Sequence, residues 1–174
     1  MRIVAGKFKG RRLVENKYEH IRPTTDKVRE ALFVKLQFFL PDKDVLDLFC
    51  GTGAMGIEAL SRGANSVIFV DKDARSVALT KQNLKIVGSD AKVVKCDAVK
   101  FVEVCKVKFD LILLDPPYKS GLYEKIIPHI PSILNEGGVV VCEHDSKDTF
   151  NYSPFSVYDE KRYGNITLTY LELQ

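Results

Sequence analysis

The chain reads as an α/β protein with a mostly parallel, doubly wound sheet that ends in an antiparallel hairpin. Three observations carry that reading. Short apolar runs alternate with helical stripes from residue 45 to residue 142. A glycine-rich stretch, Gly51-Thr52-Gly53-Ala54-Met55-Gly56, separates the first run from the first of those stripes. After residue 150 the pattern changes to two strand-like segments around Arg162-Tyr163-Gly164-Asn165, a hairpin turn signal.

In order, Ile3-Val4-Ala5 and Arg12-Leu13-Val14 flank Gly6-Lys7-Phe8-Lys9-Gly10 and predict a small hairpin with a basic tip. Thr24, Thr25 and Asp26 are good helix caps. Val28, Ala31, Leu32, Leu36 and Phe39 then follow a helical stripe that stops before Pro41. Val45 to Phe49 is a strand, Ile57 to Arg62 a short helix closed by Gly63, and Val67 to Val70 a second strand. Val77, Thr80, Leu84 and Val87 form one helical face ending at Gly88. Val93-Val94 marks a third strand, followed by a helix carrying Ala98, Phe101, Val102 and Cys105. Phe109 to Leu114 is a fourth strand. Leu122, Ile126 and Ile130 predict a helix that Pro128 and Pro131 break or kink, and Gly138 to Cys142 is the fifth strand. With the terminal hairpin, Phe155 to Tyr158 and Ile166 to Leu171, this makes a seven-stranded sheet with antiparallel strands at one edge. Phe33, Phe38 and Phe39 are expected in the core.

At 174 residues the chain is expected to form a single domain, with residues 1–40 as a covering extension. No apolar run reaches membrane-span length, and Met1 to Lys7 does not resemble a signal peptide. Cys50, Cys96, Cys105 and Cys142 lack metal-ligand or redox spacing, so buried, reduced thiols in a cytoplasmic protein are expected, with no metal. Charge is uneven. Through Lys35 there are ten basic and four acidic residues, a net +6, against 16 basic and 19 acidic residues in the remainder, a net −3. A cationic front on a near-neutral body suggests a polyanionic partner.

Asp115-Pro116-Pro117-Tyr118 directly follows the fourth strand. Two prolines cannot continue a ladder, so the strand must end there, and that end is where open α/β sheets bind ligands. A carboxylate, a rigid turn with free carbonyls and an aromatic ring together suit a planar group bearing an NH2.

The glycine stretch matches the dinucleotide pattern, with Asp71 at the end of the next strand to meet ribose hydroxyls. Asp47 opposes that assignment, because a pyrophosphate wants a helix N-terminus without a neighbouring carboxylate. S-adenosyl-L-methionine has no phosphate and carries ammonium and sulfonium charges that Asp47 favours. Gly51 and Gly53 would let the backbone approach its methionine part, while Asp97 either contacts the adenine amine or caps the next helix. Phe49, Lys72 and Ala98, next to or near these positions, complete the expected cofactor lining. Facing such a donor, Asp115 and the Pro116 carbonyl would orient an exocyclic amine, Pro117 would hold the turn, and Tyr118 would stack on the base. A base within a duplex would first have to be flipped.

Three segments resemble the RsmD-type family of small-subunit ribosomal RNA methyltransferases. They are Arg2 to Gly6 with Gly10 to Leu13, Arg22-Pro23-Thr24-Thr25-Asp26-Lys27-Val28-Arg29-Glu30-Ala31-Leu32-Phe33, and Asp47 to Gly53 with its helix. The resemblance implies a Rossmann-like class I methyltransferase fold and methyl transfer to N2 of a guanine in 16S rRNA of the small subunit or its assembly intermediate. It also implies that Arg22, Thr24 and Thr25 border the cofactor's methionine end, with Arg22 or Arg29 as carboxylate partner. Arg2, Lys7, Lys9, Arg11 and Arg12 would meet rRNA phosphates. A monomer is expected. Alternatives are a DNA adenine-N6 or cytosine-N4 methyltransferase and a non-catalytic RNA-binding protein on the same fold. Glu143-His144-Asp145 is a tempting trio after the fifth strand, but no nucleophile motif accompanies it, and no catalytic role is expected.

Overall fold

The computed structural model describes residues 1–15 and 26–174. The expectations for Arg22, Thr24 and Thr25, including the caps before the first helix, lie outside the described residues. Seven strands are β1 (Asp44–Asp47), β2 (Ser66–Asp71), β3 (Lys92–Lys95), β4 (Phe109–Leu114), β5 (Leu134–Asp145), β6 (Phe155–Tyr163) and β7 (Ile166–Leu173). They form one sheet in the order β3-β2-β1-β4-β5-β7-β6. The first five run parallel, and β7 pairs antiparallel with both β5 and β6.

Six helices connect or precede them: α1 (Asp26–Lys35), α2 (Ala54–Ser61), α3 (Ala74–Val87), α4 (Ala98–Val104), α5 (Leu122–Ile126) and α6 (Ile130–Ile133). Alternate strand residues feed two apolar cores, one on each face. Val45, Phe69, Leu111 and Val141 pack with residues of α1, α2 and α3, whereas Leu46, Val70, Ile112 and Val140 pack with those of α4, α5 and α6. Pro128 sits in a 3-10 turn between α5 and α6, and Pro131 opens α6, so the expected helix becomes two short ones.

The antiparallel hairpin lies at one edge of the sheet, as expected, and three other expectations need correction. Within that hairpin β7 sits between β5 and β6 and alone runs against the other strands. The reason is burial, since Ile166 to Leu171 are all buried and need neighbours on both sides, while β6 exposes charged residues as an edge should. Phe38 is not core but 92% exposed, because α1 ends at Lys35 and the following turn directs Leu36 and Leu40 inward instead. Cys50 and Cys142 are buried, but Cys96 and Cys105 are only half-buried; all four are free thiols. Finally, α2 starts at Ala54 rather than Ile57, directly on the glycine loop.

The N-terminal hairpin is a short antiparallel pair, with Ile3 and Leu13 bonded to Arg11 and Met1 and an Arg2–Arg12 bridge between them. Ile3 and Leu13 are buried in the core, and Arg2, Lys7, Lys9, Arg11 and Arg12 remain exposed. Its anchor is Glu58 on α2, fully buried, whose two carboxylate oxygens accept the Val4 and Ala5 N–H groups at 2.8 and 3.0 Å. Ser61 adds its hydroxyl, which accepts the Phe8 N–H, and its carbonyl, which accepts the Lys7 N–H. Among the described residues no helix is long and apolar enough to cross a membrane.

Candidate active site

The first five strands end in a row of acids. Taken across the sheet, Asp97 follows β3, Asp71 ends β2, Asp47 ends β1, Asp115 follows β4 and Glu143 lies near the end of β5. Strands stand about 4.8 Å apart, so the row spans roughly 19 Å. All five line one cleft of about 770 Å³ at the carboxyl edge of the sheet. Phe49, Gly51, Lys72, Ala98, Pro116, Pro117 and Tyr118 line it too.

Glycines fulfil different tasks within the loop. Gly53 lies between two residues that line the cleft, Thr52 and Ala54. It caps α2 at φ +78°, and a Cβ there would lie 2.8 Å from the Thr80 methyl. At Gly56 a Cβ would lie 2.2 Å from the Phe69 ring, so this glycine lets α2 press onto β2. From α3, Thr80 donates to the Gly51 carbonyl at 2.9 Å and Asn83 to the Thr52 carbonyl at 2.9 Å. These two side chains set the loop's shape, and no loop-local motif announces them.

Asp47 accepts the Gly56 N–H at 2.9 Å. That N–H belongs to the first turn of α2, where a phosphate would have to bind. A carboxylate from the sheet already fills the position, so the helix start disfavours pyrophosphate and favours a cationic group. Burial pushes the Asp47 carboxyl up to about 7, with the Gly56 bond opposing and nearby Asp71 adding to the rise. A cation beside it would restore the ionised form.

Asp71 accepts the Gly51 N–H at 3.0 Å with one oxygen and the Asp73 N–H at 2.9 Å with the other. Each carboxylate oxygen keeps acceptor capacity for a ribose hydroxyl. Asp97 caps α4, accepting from Val99 and Lys100, and also faces the cleft, so the two readings of this residue are compatible. These residues fit S-adenosylmethionine: acceptors for adenosine at β2 and β3, and a carboxylate for positive charge at β1.

Beyond them, Asp115 is half-buried and Tyr118 is an exposed ring on the rim. The turn carrying them is fixed from behind by Tyr123 of α5. Its hydroxyl lies 3.1 Å from the Leu114 carbonyl and 2.7 Å from the Glu143 carbonyl, tying the ends of β4 and β5 together. Burial pushes this phenol well above its ordinary range and keeps it a donor.

The Glu143-His144-Asp145 trio does not converge. Only Glu143 reaches the cleft, while His144 bonds Thr169 and the Asp145 carbonyl through its two ring nitrogens. Arg29, counted above with the cationic front, is only 1% exposed. It pairs with Asp26 at 2.9 Å and with Glu58 at 3.7 Å, so it adds no surface charge, although it borders the cleft. Among the described residues no group of three or more His, Cys, Asp or Glu side chains is placed to hold a metal ion.

A family model described as Conserved hypothetical protein 95 matches residues 1–172. Ribosomal RNA small subunit methyltransferase D of Escherichia coli K12 is 38% identical over 144 residues, covering 82% of this chain and 71% of its own length. The chain belongs to the RsmD-type methyltransferase family. YlbH of Bacillus subtilis, named as a candidate rRNA methyltransferase, is 39% identical over 152 residues, 83% of either chain. Among solved structures, the yhhF protein of Escherichia coli superposes with a TM-score of 0.89 at 29% identity, covering 100% of this chain and 98% of its own. The class I methyltransferase fold expected from the sequence is the one observed. In this RsmD-type chain, Glu58, Thr80, Asn83, Tyr123 and Glu143 are the site and scaffold residues that sequence reasoning missed. Apart from Glu143, which directly follows the expected fifth strand Gly138 to Cys142, their signal is purely tertiary.

Proposed function

We propose that this RsmD-type chain is an S-adenosylmethionine-dependent methyltransferase acting on N2 of a guanine in 16S rRNA of the small ribosomal subunit. One observation carries the reading: Asp115-Pro116-Pro117-Tyr118 and the Gly51 loop, with Asp47 and Asp71, line the same cleft. The names of the relatives support rRNA of the small subunit as substrate.

The cofactor supplies an electrophilic methyl group on a sulfonium. Asp71 and Asp97 hold the adenosine, with Phe49, Lys72 and Ala98 around it, and Gly51 and Asp47 border the charged methionine end. The family resemblance assigns Arg22, Thr24 and Thr25 to that same end. The guanine N2 lone pair is delocalised into the ring, so the amine is a weak nucleophile. Asp115 and the Pro116 carbonyl each accept one N–H, which turns the lone pair toward the methyl; Pro117 keeps the turn rigid and Tyr118 stacks on the base. Such alignment supplies several kcal/mol, on the order of 10²–10³-fold or more in rate. As the N–C bond forms, the S–C bond breaks, and the nitrogen sheds one proton with Asp115 as its first acceptor. No metal is required. Arg2, Lys7, Lys9, Arg11 and Arg12 grip phosphates from a hairpin that Glu58 and Ser61 already hold in place.

The test is transfer of labelled methyl to small subunits from a strain lacking the enzyme, followed by nucleoside digestion. N2-methylguanosine is expected. Label on DNA rather than on subunits, or cofactor binding without transfer, would overturn the reading.

A further inference from the structure

Four of the five acids on the cleft edge have a task in the proposed reaction. Glu143 has none. It is 3% exposed, lines the cleft and lies beyond Asp115 in the row, on the side away from the adenosine end. Leu114 and Cys142 are the last pair of the β4–β5 ladder, and Asp115 and Glu143 are the residues that directly follow them. The Tyr123 hydroxyl ties the backbones together at this level, through the carbonyls of Leu114 and Glu143. Two carboxylates from the carboxyl ends of neighbouring parallel strands therefore line the same cleft.

We propose that Glu143 accepts the N1–H of the target guanine and makes the site selective for guanine among amine-bearing bases. This rests on the guanine-N2 reading and goes one step further. The Watson–Crick edge of guanine offers three N–H donors, two on N2 and one on N1. Asp115, the Pro116 carbonyl and Glu143 supply three acceptors. Adenine and cytosine also present an exocyclic amine, but beside it stands a ring nitrogen that accepts. An ionised carboxylate only accepts, so those bases would meet it lone pair to lone pair. Sites built to accept a substrate N–H reject, by large factors, analogues that present a lone pair there instead. Selectivity against DNA-type adenine and cytosine amines thus follows from a residue outside the Asp-Pro-Pro-Tyr motif.

The experiment compares wild type with Glu143→Gln on reconstituted small-subunit particles whose rRNA carries guanine or 2-aminopurine at the mapped target. The analogue keeps the N2 amine but presents an acceptor at N1. Wild type should prefer guanine by about 100-fold or more in kcat/KM. In Glu143→Gln the amide can donate to N1, and the preference should fall to within about tenfold. The ratio is internal to each preparation, so a partly misfolded variant does not distort it. An unchanged ratio, with activity lowered equally on both substrates, would overturn the role of Glu143 while leaving the guanine reading intact. No methyl on guanine-bearing particles by wild type would overturn both.

Discussion

Asn83 holds Val14 by both of its backbone groups. The side-chain carbonyl accepts the Val14 N–H at 2.8 Å, and the side-chain amide donates to the Val14 carbonyl at 3.0 Å. A buried amide on α3 thus imitates a neighbouring strand for the arm that follows the basic hairpin. Its second amide hydrogen goes to Thr52 in the glycine loop at 2.9 Å. One residue couples the arm after the basic hairpin to the glycine loop.

Replacing Asn83 by Ala should leave two backbone carbonyls and one N–H without this partner. A loss of about 2–3 kcal/mol in urea denaturation is expected from unmet buried groups. Cofactor affinity measured by calorimetry should fall as well, because the loop loses its hold.

Glu58, fully buried on α2, should matter strongly for stability. Glu58→Ala removes the acceptor for Val4 and Ala5 and takes from Arg29 its one buried carboxylate partner and from Arg62 its 2.8 Å ion pair. Breaking a buried pair on one side costs about 3–5 kcal/mol. Hydrogen exchange should show the Val4 and Ala5 amides losing protection, and rRNA binding should weaken with them.

Asp115→Ala should lower kcat by about 10³-fold or more while cofactor affinity stays within about threefold. A large loss of cofactor affinity would place the residue at the methionine end instead. Single-turnover kinetics together with calorimetry separates these outcomes.

The Asp47 carboxyl, raised to about 7, predicts a pH effect. Cationic cofactor favours the ionised form, so its affinity should be constant above about pH 8 and fall below pH 7, by up to tenfold per pH unit. Asp47→Asn should flatten that profile. For the free protein the sign reverses: between its ordinary 3.8 and about 7 the folded state holds a proton that the unfolded state has lost. Stability from this group is therefore present at acid pH and disappears as pH rises through 7, visible as a shift in Tm between wild type and Asp47→Asn.

Much of this protein was legible in its residues, because the information is local. Phe109 to Leu114 ends where two prolines forbid a further ladder, and β4 ends there. Gly88 closes α3 with φ +71°, as a left-handed cap requires. The acids after four strands were visible for the same reason: a strand end is marked by what interrupts the apolar run. What stayed hidden involves partners distant in sequence. Phe38 and Phe39 are adjacent aromatic residues, and only the end of α1 decides that Phe38 meets solvent. The insertion of β7 between β5 and β6 depends on which edges need cover, a property of the assembled sheet. The sequence by itself thus determined the alternation of strands and helices, the glycine loop and the acids at the strand ends, since each is written in neighbouring residues. Only the tertiary structure decided that Glu58, Asn83 and Tyr123 hold the hairpin, loop and strand ends, and that Glu143 lines the same cleft as Asp115. Hydrogen bonds between residues 20 to 69 positions apart leave no periodic trace in the chain.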